Sequence, residues 1–167
     1  MLPPGPTVTP LEVDFVGRIQ RGLRLKRNRS QWPGRNDAES AMHGGEFEQA
    51  LSADGKHCLS FEVPAGRNRA AVCLPVTVIR HVPGPCVLFT GGNHGDEYEG
   101  PFAIMRMIRE LSRDDLVCGT VILMPMLNPP AVDAGTRVSP IDGKNLNRVF
   151  PGNPRGTATD RAGGCQH

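Results

Sequence analysis

The segment between residues 86 and 126 constrains the fold of this chain more than any other. The short apolar run Cys86–Thr90 predicts a buried strand that stops at a pair of glycines. The apolar-periodic segment 102–111 predicts a helix, and the near-continuous apolar run 120–126 predicts a second buried strand. Strand, helix and strand in this order form a right-handed βαβ unit with two parallel strands. The sequence therefore predicts an α/β fold.

A polar turn between the first of these strands and the helix carries two side chains that can bind a metal. His94 and Glu97 are three positions apart, at the carboxyl end of a strand, where open α/β sheets place their ligand sites. Zn²⁺ accepts a histidine nitrogen and a glutamate oxygen at about 2.0–2.2 Å. The pair predicts part of a metal site, which needs a third ligand and a catalytic base from elsewhere.

A long polar segment follows the second strand and contains Arg137, Asn147 and Arg148. A loop of this length inside a compact domain is usually either functional or disordered. Because it leaves the carboxyl end of the neighbouring strand, we expect these three side chains to face the same crevice as the metal pair. The chain has no GxxxxGK[ST] loop and no GxSxG elbow, which argues against a P-loop NTPase and a serine hydrolase.

The part of the chain before this unit divides into two regions. Strands are predicted at 58–63 and 71–80, and they indicate an antiparallel start to the sheet. Residues 1–52 are predicted to be a disordered extension, because glycines and a proline interrupt any helix there. Its basic segment 18–35 leaves open binding to nucleic acid or to an anionic surface. The net charge of +2 argues neither for nor against nucleic acid.

Cysteine usage and hydropathy bear on the cellular compartment. The five cysteines are odd in number, never stand in CxxC spacing, and three of them lie inside apolar stretches. This pattern suits small buried thiols in a reducing cytoplasm better than a disulfide framework. No apolar run approaches the roughly 18 residues of a membrane span, and none at the N-terminus resembles a signal peptide. The sequence predicts a cytoplasmic protein with no membrane partner.

Three ordered motifs together resemble the succinylglutamate desuccinylase/aspartoacylase family, within the zinc carboxypeptidase-like group. They are Gly-Gly-Asn-His-Gly-Asp-Glu at 91–97, Gly-Thr-Arg at 135–137 and Asn-Leu-Asn-Arg-Val-Phe-Pro-Gly at 145–152. The phrases look most like the N-acetyl-diaminobutyrate deacetylases of ectoine breakdown. The resemblance covers about residues 54–152. It implies part of a zinc-carboxypeptidase-like fold, with a mixed, mostly parallel sheet and flanking helices.

The resemblance also implies a role for each candidate residue. His94 and Glu97 would be ligands of one zinc ion, and Arg137 would polarise the scissile carbonyl. Asn147 and Arg148 would grip the carboxylate of an N-acylated amino acid, for which a planar guanidinium is better suited than an ammonium. Zinc would lower the pKa of water to about 7, which supplies a nucleophile for hydrolysis of a linear amide C–N bond.

The resemblance ends shortly after Gly152. The family's third ligand, a later histidine, and its general-base glutamate have no counterpart, and His167 stands in a Gly-rich tail that gives a metal ligand no rigid support. We therefore interpret the chain as a C-terminally truncated deacylase, with the first half of the zinc domain at 53–152 and a non-family tail at 153–167. A zinc amidohydrolase and a catalytically inactive fragment both remain open.

Overall fold

The computed structural model describes residues 24–26, 45–65 and 70–164. The strands are β1 (Arg24–Lys26), β2 (Gly55–Val63), β3 (Val72–Arg80), β4 (Cys86–Thr90) and β5 (Thr120–Met124). The α-helices are α1 (Gly45–Ser52), α2 (Glu99–Glu110), α3 (Pro129–Ala134) and α4 (Ala158–Gly163). Short 3₁₀ helices lie at Arg113–Asp115 and Leu146–Arg148. Among these helices, none has the length and apolarity that crossing a bilayer requires.

The strands form one mixed sheet in the order β1-β2-β3-β5-β4. Strands β4 and β5 are parallel, from Cys86 opposite Thr120 to Thr90 opposite Met124, with α2 between them in the chain. The predicted strand–helix–strand unit is therefore confirmed. The pairs β1–β2, β2–β3 and β3–β5 are antiparallel. The expectation of a mostly parallel sheet is wrong for the described strands, because the hairpin β2–β3 extends the sheet through β5.

The core lies on both faces of the central strands. Successive residues of a strand point to opposite faces, and β3 accordingly places Val78 in one apolar cluster and Ile79 in the other. The larger cluster includes Phe47 of α1 and Phe61 of β2, whose rings meet edge to face with centroids 5.0 Å apart. The smaller cluster joins Ile79 to α2 through Ile104 and its neighbours. Helices thus cover both faces of β3 and β5.

Strand β4 forms where the sequence predicts it, but it is not buried. The side chains of Val87 and Phe89 are 44% and 40% exposed to solvent. In the described part of the chain, β4 pairs only with β5. The prediction of burial is wrong because an apolar run indicates a strand without indicating its position in the sheet. An edge strand has a neighbour on one side only.

The packed domain begins earlier than residue 53. Most of the predicted disordered extension, 1–52, falls outside the described residues, as does nearly all of the basic segment 18–35. Its last eight residues are α1, and Phe47 and Ala50 of this helix are buried in the larger cluster. Because α1 follows a charged, Gly-rich stretch, its short amphipathic pattern is difficult to recognise in the sequence.

The predicted burial of the thiols is wrong for the described cysteines. All four of them are exposed, and Cys58 and Cys118 are unbridged. An apolar neighbourhood in sequence does not determine exposure, because alternate residues of a strand face opposite sides.

Candidate functional site

The turn that carries the candidate metal pair is pressed against α3. A Cβ on Gly95 would lie 1.8 Å from the backbone oxygen of Ala131, and the Gly95 N–H donates to the carbonyl of Thr136 at 2.9 Å. No side chain fits in that space, so glycine allows the turn to lie directly on the helix. This contact helps to bury His94, which keeps 5% of its exposure.

His94 and Glu97 converge as the spacing predicts. Nδ1 of His94 lies 3.0 Å from Oε1 of Glu97. Two donors on a tetrahedral zinc ion, each at about 2.0–2.2 Å, lie roughly 3.3–3.6 Å apart. A few tenths of an ångström of separation would therefore admit an ion between them. Glu97 is half exposed, with a side-chain exposure of 56%, so the position between the two groups can be reached from solvent.

Arg137 lies beside the same carboxylate. Helix α3 is capped at its carboxyl end by Gly135, whose left-handed φ of 62° redirects the chain after the helix. The Arg137 guanidinium then donates to Oε1 of Glu97 at 3.0 Å. The hydrogen bonds of Glu97 with His94 and then with Arg137 hold the pKa of Glu97 below its ordinary value. Glu97 is therefore ionised at neutral pH, as a metal ligand must be.

The loop at 145–148 approaches the other side of the histidine ring. Leu146 is buried in the larger cluster and anchors this loop. Oδ1 of Asn145 accepts the N–H of Asn147 at 3.0 Å and lies 3.2 Å from Nε2 of His94. Nδ2 of Asn147 lies 3.1 Å from the same Nε2, while its Oδ1 accepts a hydrogen bond from Asn93. Both ring nitrogens of a buried imidazole thus have polar partners.

Helix α4 holds this loop in place. Thr159 donates to Asp142 through its backbone N–H at 3.0 Å and through its hydroxyl at 2.7 Å. Lys144 reaches Oδ2 of Asp160 at 2.6 Å. The hydrogen bond from Lys144 is the main cause that lowers the pKa of Asp160. Hydrogen bonds therefore connect the residues just before Asn145 to α4, the last described helix.

Arg148 is the predicted site residue for which the structure shows no contact with His94 or Glu97. It belongs to the same 3₁₀ turn as Asn147 and its backbone N–H donates to the Asn145 carbonyl at 2.9 Å. Its side chain is exposed and forms no hydrogen bond or ion pair with another described residue. The exposed guanidinium is thus available for a ligand.

Asn145 is the functional candidate that the sequence interpretation missed. The ring of His94 lies 3.2 Å from Oδ1 of Asn145, whereas Asp96, two residues after the histidine, is exposed. The spacing of Asn145 two residues before Asn147 resembles a helix-capping position, and nothing in the sequence shows that it lies against His94. Within the described residues, no group of three histidine, cysteine, aspartate or glutamate side chains could hold a metal.

The fold and the site together define an α/β domain with a histidine–glutamate pair at the carboxyl ends of two parallel strands. Residues 83–165 match the model of the succinylglutamate desuccinylase/aspartoacylase catalytic domain. The chain belongs to this family. The match extends past Gly152 to residue 165, so the predicted start of a non-family tail at 153 is too early.

Individual relatives agree with this assignment. N-alpha-acetyl-L-2,4-diaminobutyric acid deacetylase of Halomonas elongata is 43% identical over 135 residues, which cover 79% of this chain and 38% of that protein. A succinylglutamate desuccinylase/aspartoacylase of Rhodobacter sphaeroides superposes with a TM-score of 0.65 at 43% identity, covering 68% of this chain and 35% of the other.

The product-bound ectoine utilization protein EutE (DoeB) of Ruegeria pomeroyi gives a TM-score of 0.64 at 44% identity, with 68% and 35% coverage. The chain thus spans less than two fifths of the length of these relatives.

Proposed function

We propose that this chain carries the first part of the active site of a zinc-dependent amidohydrolase, which removes the acyl group from an N-acylated amino acid such as N-acetyl-diaminobutyrate. The observation that carries the proposal is the 3.0 Å approach of His94 Nδ1 to Glu97 Oε1, with Arg137 on the same carboxylate. The activity for which the Halomonas elongata relative is named supports the substrate class.

The donor set of the pair fits zinc. A neutral imidazole nitrogen and an ionised carboxylate oxygen are both ordinary zinc ligands, and they already face each other. When bound, zinc would supply a Lewis acid and activate water for attack on an amide carbonyl. Only these two ligands lie together in the described part of the chain, so the ion would be held weakly compared with a site of three protein ligands.

The other residues of the site suit the binding of an acylated amino acid. Arg137 lies next to Glu97 and is about half exposed, so its charge can stabilise the negative oxygen that develops at the scissile carbonyl. Arg148 offers an unpaired guanidinium to the substrate carboxylate, with which it can form two parallel hydrogen bonds. Asn147, the residue before this arginine, has its amide 3.1 Å from the imidazole and can offer a hydrogen bond to the same substrate.

A second candidate is a form that binds zinc and substrate without turnover. It is favoured by the site of only two ligands among the described residues. We also infer a cytoplasmic location, because the exposed Cys58 and Cys118 are unbridged thiols, as a reducing compartment favours.

Calorimetric titration with Zn²⁺, followed by an assay of acetate release from N-acetyl-diaminobutyrate, tests the two candidates. We expect one zinc ion per chain and loss of that binding in His94→Ala. The matched control is His57→Ala, because the ring of this half-buried histidine lies 3.2 Å from the Ala53 carbonyl and has no hydrogen bond with a described residue of the site. Zinc-dependent acetate release supports the hydrolase. Zinc binding without acetate release supports the inactive form, and equal zinc binding by His94→Ala and the wild type would contradict both.

A further inference from the structure

We propose that the outer edge of β4 binds a second copy of this chain, so that two copies form a two-fold symmetric dimer with one continuous sheet. The two β4 strands pair antiparallel about Leu88. The dimer is independent of the proposed metal site, because it depends on the backbone edge of β4 and on the apolar and charged side chains beside it.

The backbone of β4 presents hydrogen-bonding groups on the side where the described chain has no neighbouring strand. Just after β4, the Gly91 N–H donates to the Met124 carbonyl of β5 at 2.9 Å. Along a strand, the backbone groups of alternate residues point to opposite neighbours. The odd-numbered residues of β4 therefore face β5, and Leu88 and Thr90 direct their N–H and C=O groups to the open side.

Apolar side chains line this edge on the face that α2 covers. Val87 and Phe89 lie opposite Val121 and Leu123 of β5, and both β5 residues pack in the smaller apolar cluster with α2. Val87 and Phe89 nevertheless remain 44% and 40% exposed, and Phe102 of α2 is 65% exposed. Helix α2 thus covers β5 and leaves an apolar strip along β4.

Pairing of two β4 strands about Leu88 matches these side chains. In this register, Val87 of each copy lies opposite Phe89 of the other, in a non-hydrogen-bonded pair with Cα atoms about 4.5 Å apart. Pairs of an aromatic and a β-branched residue stabilise a sheet. Edge strands are usually kept apart by charges, prolines or bulges, and β4 contains no charged residue or proline and keeps a continuous register with β5.

Opposite charges at the two ends of α2 favour the same arrangement. The helix begins beside the carboxyl end of β4, where a Cβ on Gly91 would lie 2.9 Å from the backbone of Gly100, and it runs back along the strand. In the dimer the two α2 helices lie antiparallel on the same face of the joined sheet. The end of one helix that carries Glu99 therefore approaches the end of the other that carries Arg109.

The area of the strip indicates a weak dimer. An aromatic side chain contributes about 150–250 Å², so the exposed fractions of Phe89 and Phe102 amount to about 200 Å² per copy. Two copies would bury about 400 Å² from these rings, to which the strand edge adds, in the class of interfaces below roughly 1,200 Å². We therefore expect a dissociation constant above about 1 µM.

Sedimentation equilibrium of the full chain from micromolar to millimolar concentration, combined with amide hydrogen exchange followed by NMR, tests the dimer and its location. We expect a monomer–dimer equilibrium, with exchange at Leu88 and Thr90 slowing as concentration rises. The amides of Val87 and Phe89 face β5 and should not respond. A chain that stays monomeric throughout would overturn the proposal, as would a dimer that leaves exchange at Leu88 and Thr90 unchanged.

A proline at position 88 tests the backbone pairing. Leu88→Pro removes an N–H that points away from β5, a position where an edge strand tolerates proline, and Leu88→Ala is the matched control that keeps the N–H. Since two-fold symmetry removes the hydrogen bond twice, Leu88→Pro should dimerise about 10-fold or more weakly than Leu88→Ala. Equal dimerisation of the two folded variants would contradict pairing through β4.

A charge reversal tests the arrangement of the helices without altering the strand. Arg109→Glu places like charges at the approaching helix ends and should weaken the dimer. The double variant Glu99→Arg/Arg109→Glu restores opposite charges and should regain the affinity of the wild type. Circular dichroism of each variant in dilute solution confirms the folded monomer. Failure of the double variant to dimerise better than Arg109→Glu would contradict the antiparallel arrangement.

Discussion

Substitution of Gly95 by alanine should displace the metal-binding turn from α3. The added Cβ would lie 1.8 Å from the Ala131 oxygen and 2.5 Å from the Val132 nitrogen, both backbone atoms that cannot rotate away. Contacts of this kind essentially never fall below 3.0 Å, so the turn and the helix must separate by more than 1.2 Å (3.0 minus 1.8). The separation would also strain the hydrogen bond from Gly95 to Thr136.

The expected magnitude is near the upper end for overpacking, about 3 kcal/mol of unfolding free energy. For a chain of this length, that loss corresponds to a fall in Tm of roughly 6–12 °C. His94 adjoins the displaced residue, and a misplacement of about 1 Å at a site can cost about 100-fold in function. Zinc affinity should therefore fall in the same variant, beyond what lower stability explains at a temperature where the chain stays folded.

Gly100→Ala is the matched control. Gly100 lies in the first turn of α2, and the nearest atom to its added Cβ is the Gly91 Cα at the ordinary contact distance of 3.5 Å. Alanine is better than glycine in a helix by up to about 1 kcal/mol, so Tm should stay equal or rise. Thermal unfolding and calorimetric zinc titration measure both variants. Equal Tm and zinc affinity for Gly95→Ala and the wild type would refute the close contact with α3.

Three further predictions concern the core, the sheet edge and the acid range. Phe47→Ala should lower the free energy of unfolding, measured in urea, by about 3–5 kcal/mol. The control Phe102→Ala, at a residue that is 65% exposed, should change it by less than about 0.5 kcal/mol. Similar losses for both variants would contradict a core role for α1. Phe89→Lys should reduce light scattering on concentration without lowering Tm, because a charge on an apolar edge strand opposes edge-to-edge pairing; a lower Tm would show that this side chain is buried. The hydrogen bonds of Glu97 lower its pKa in the folded state, so they stabilise the fold at pH values above the ordinary glutamate pKa. This stabilisation is lost as the pH falls through the lowered folded-state pKa. The difference in stability between Arg137→Ala and the wild type should therefore shrink on acidification, and a difference that grows would contradict the pairing.

The local pattern of the sequence was sufficient for the strand–helix–strand unit. Period and apolarity in 86–126 reflect interactions within a few residues, and the structure places β4, α2 and β5 within that segment. The convergence of His94 and Glu97 is local for the same reason, because three positions of one turn separate them. Their distance of 3.0 Å follows from the short turn between a strand and a helix.

Contacts between distant parts of the chain could not be predicted in this way. Asn145 lies 51 residues from His94 in sequence and approaches it only because Leu146 is buried in the core and α4 holds the preceding loop. The exposure of β4 depends on the order of strands in the sheet, and the burial of Phe47 depends on its packing against Phe61. None of these long-range contacts produces a periodic residue pattern that could be recognised in the sequence.

The sequence by itself determined the α/β unit, the candidate metal pair and the family resemblance, because each depends on residues that are close together along the chain. The tertiary structure decided which strands pair, which apolar residues are buried and which asparagines meet the imidazole. Those outcomes depend on long-range packing, in which a side chain's surroundings come from other segments. The histidine is the clearest case: its spacing from Glu97 predicts a ligand, and only the fold brings the side chains of Asn145 and Asn147 to within 3.2 Å of its Nε2.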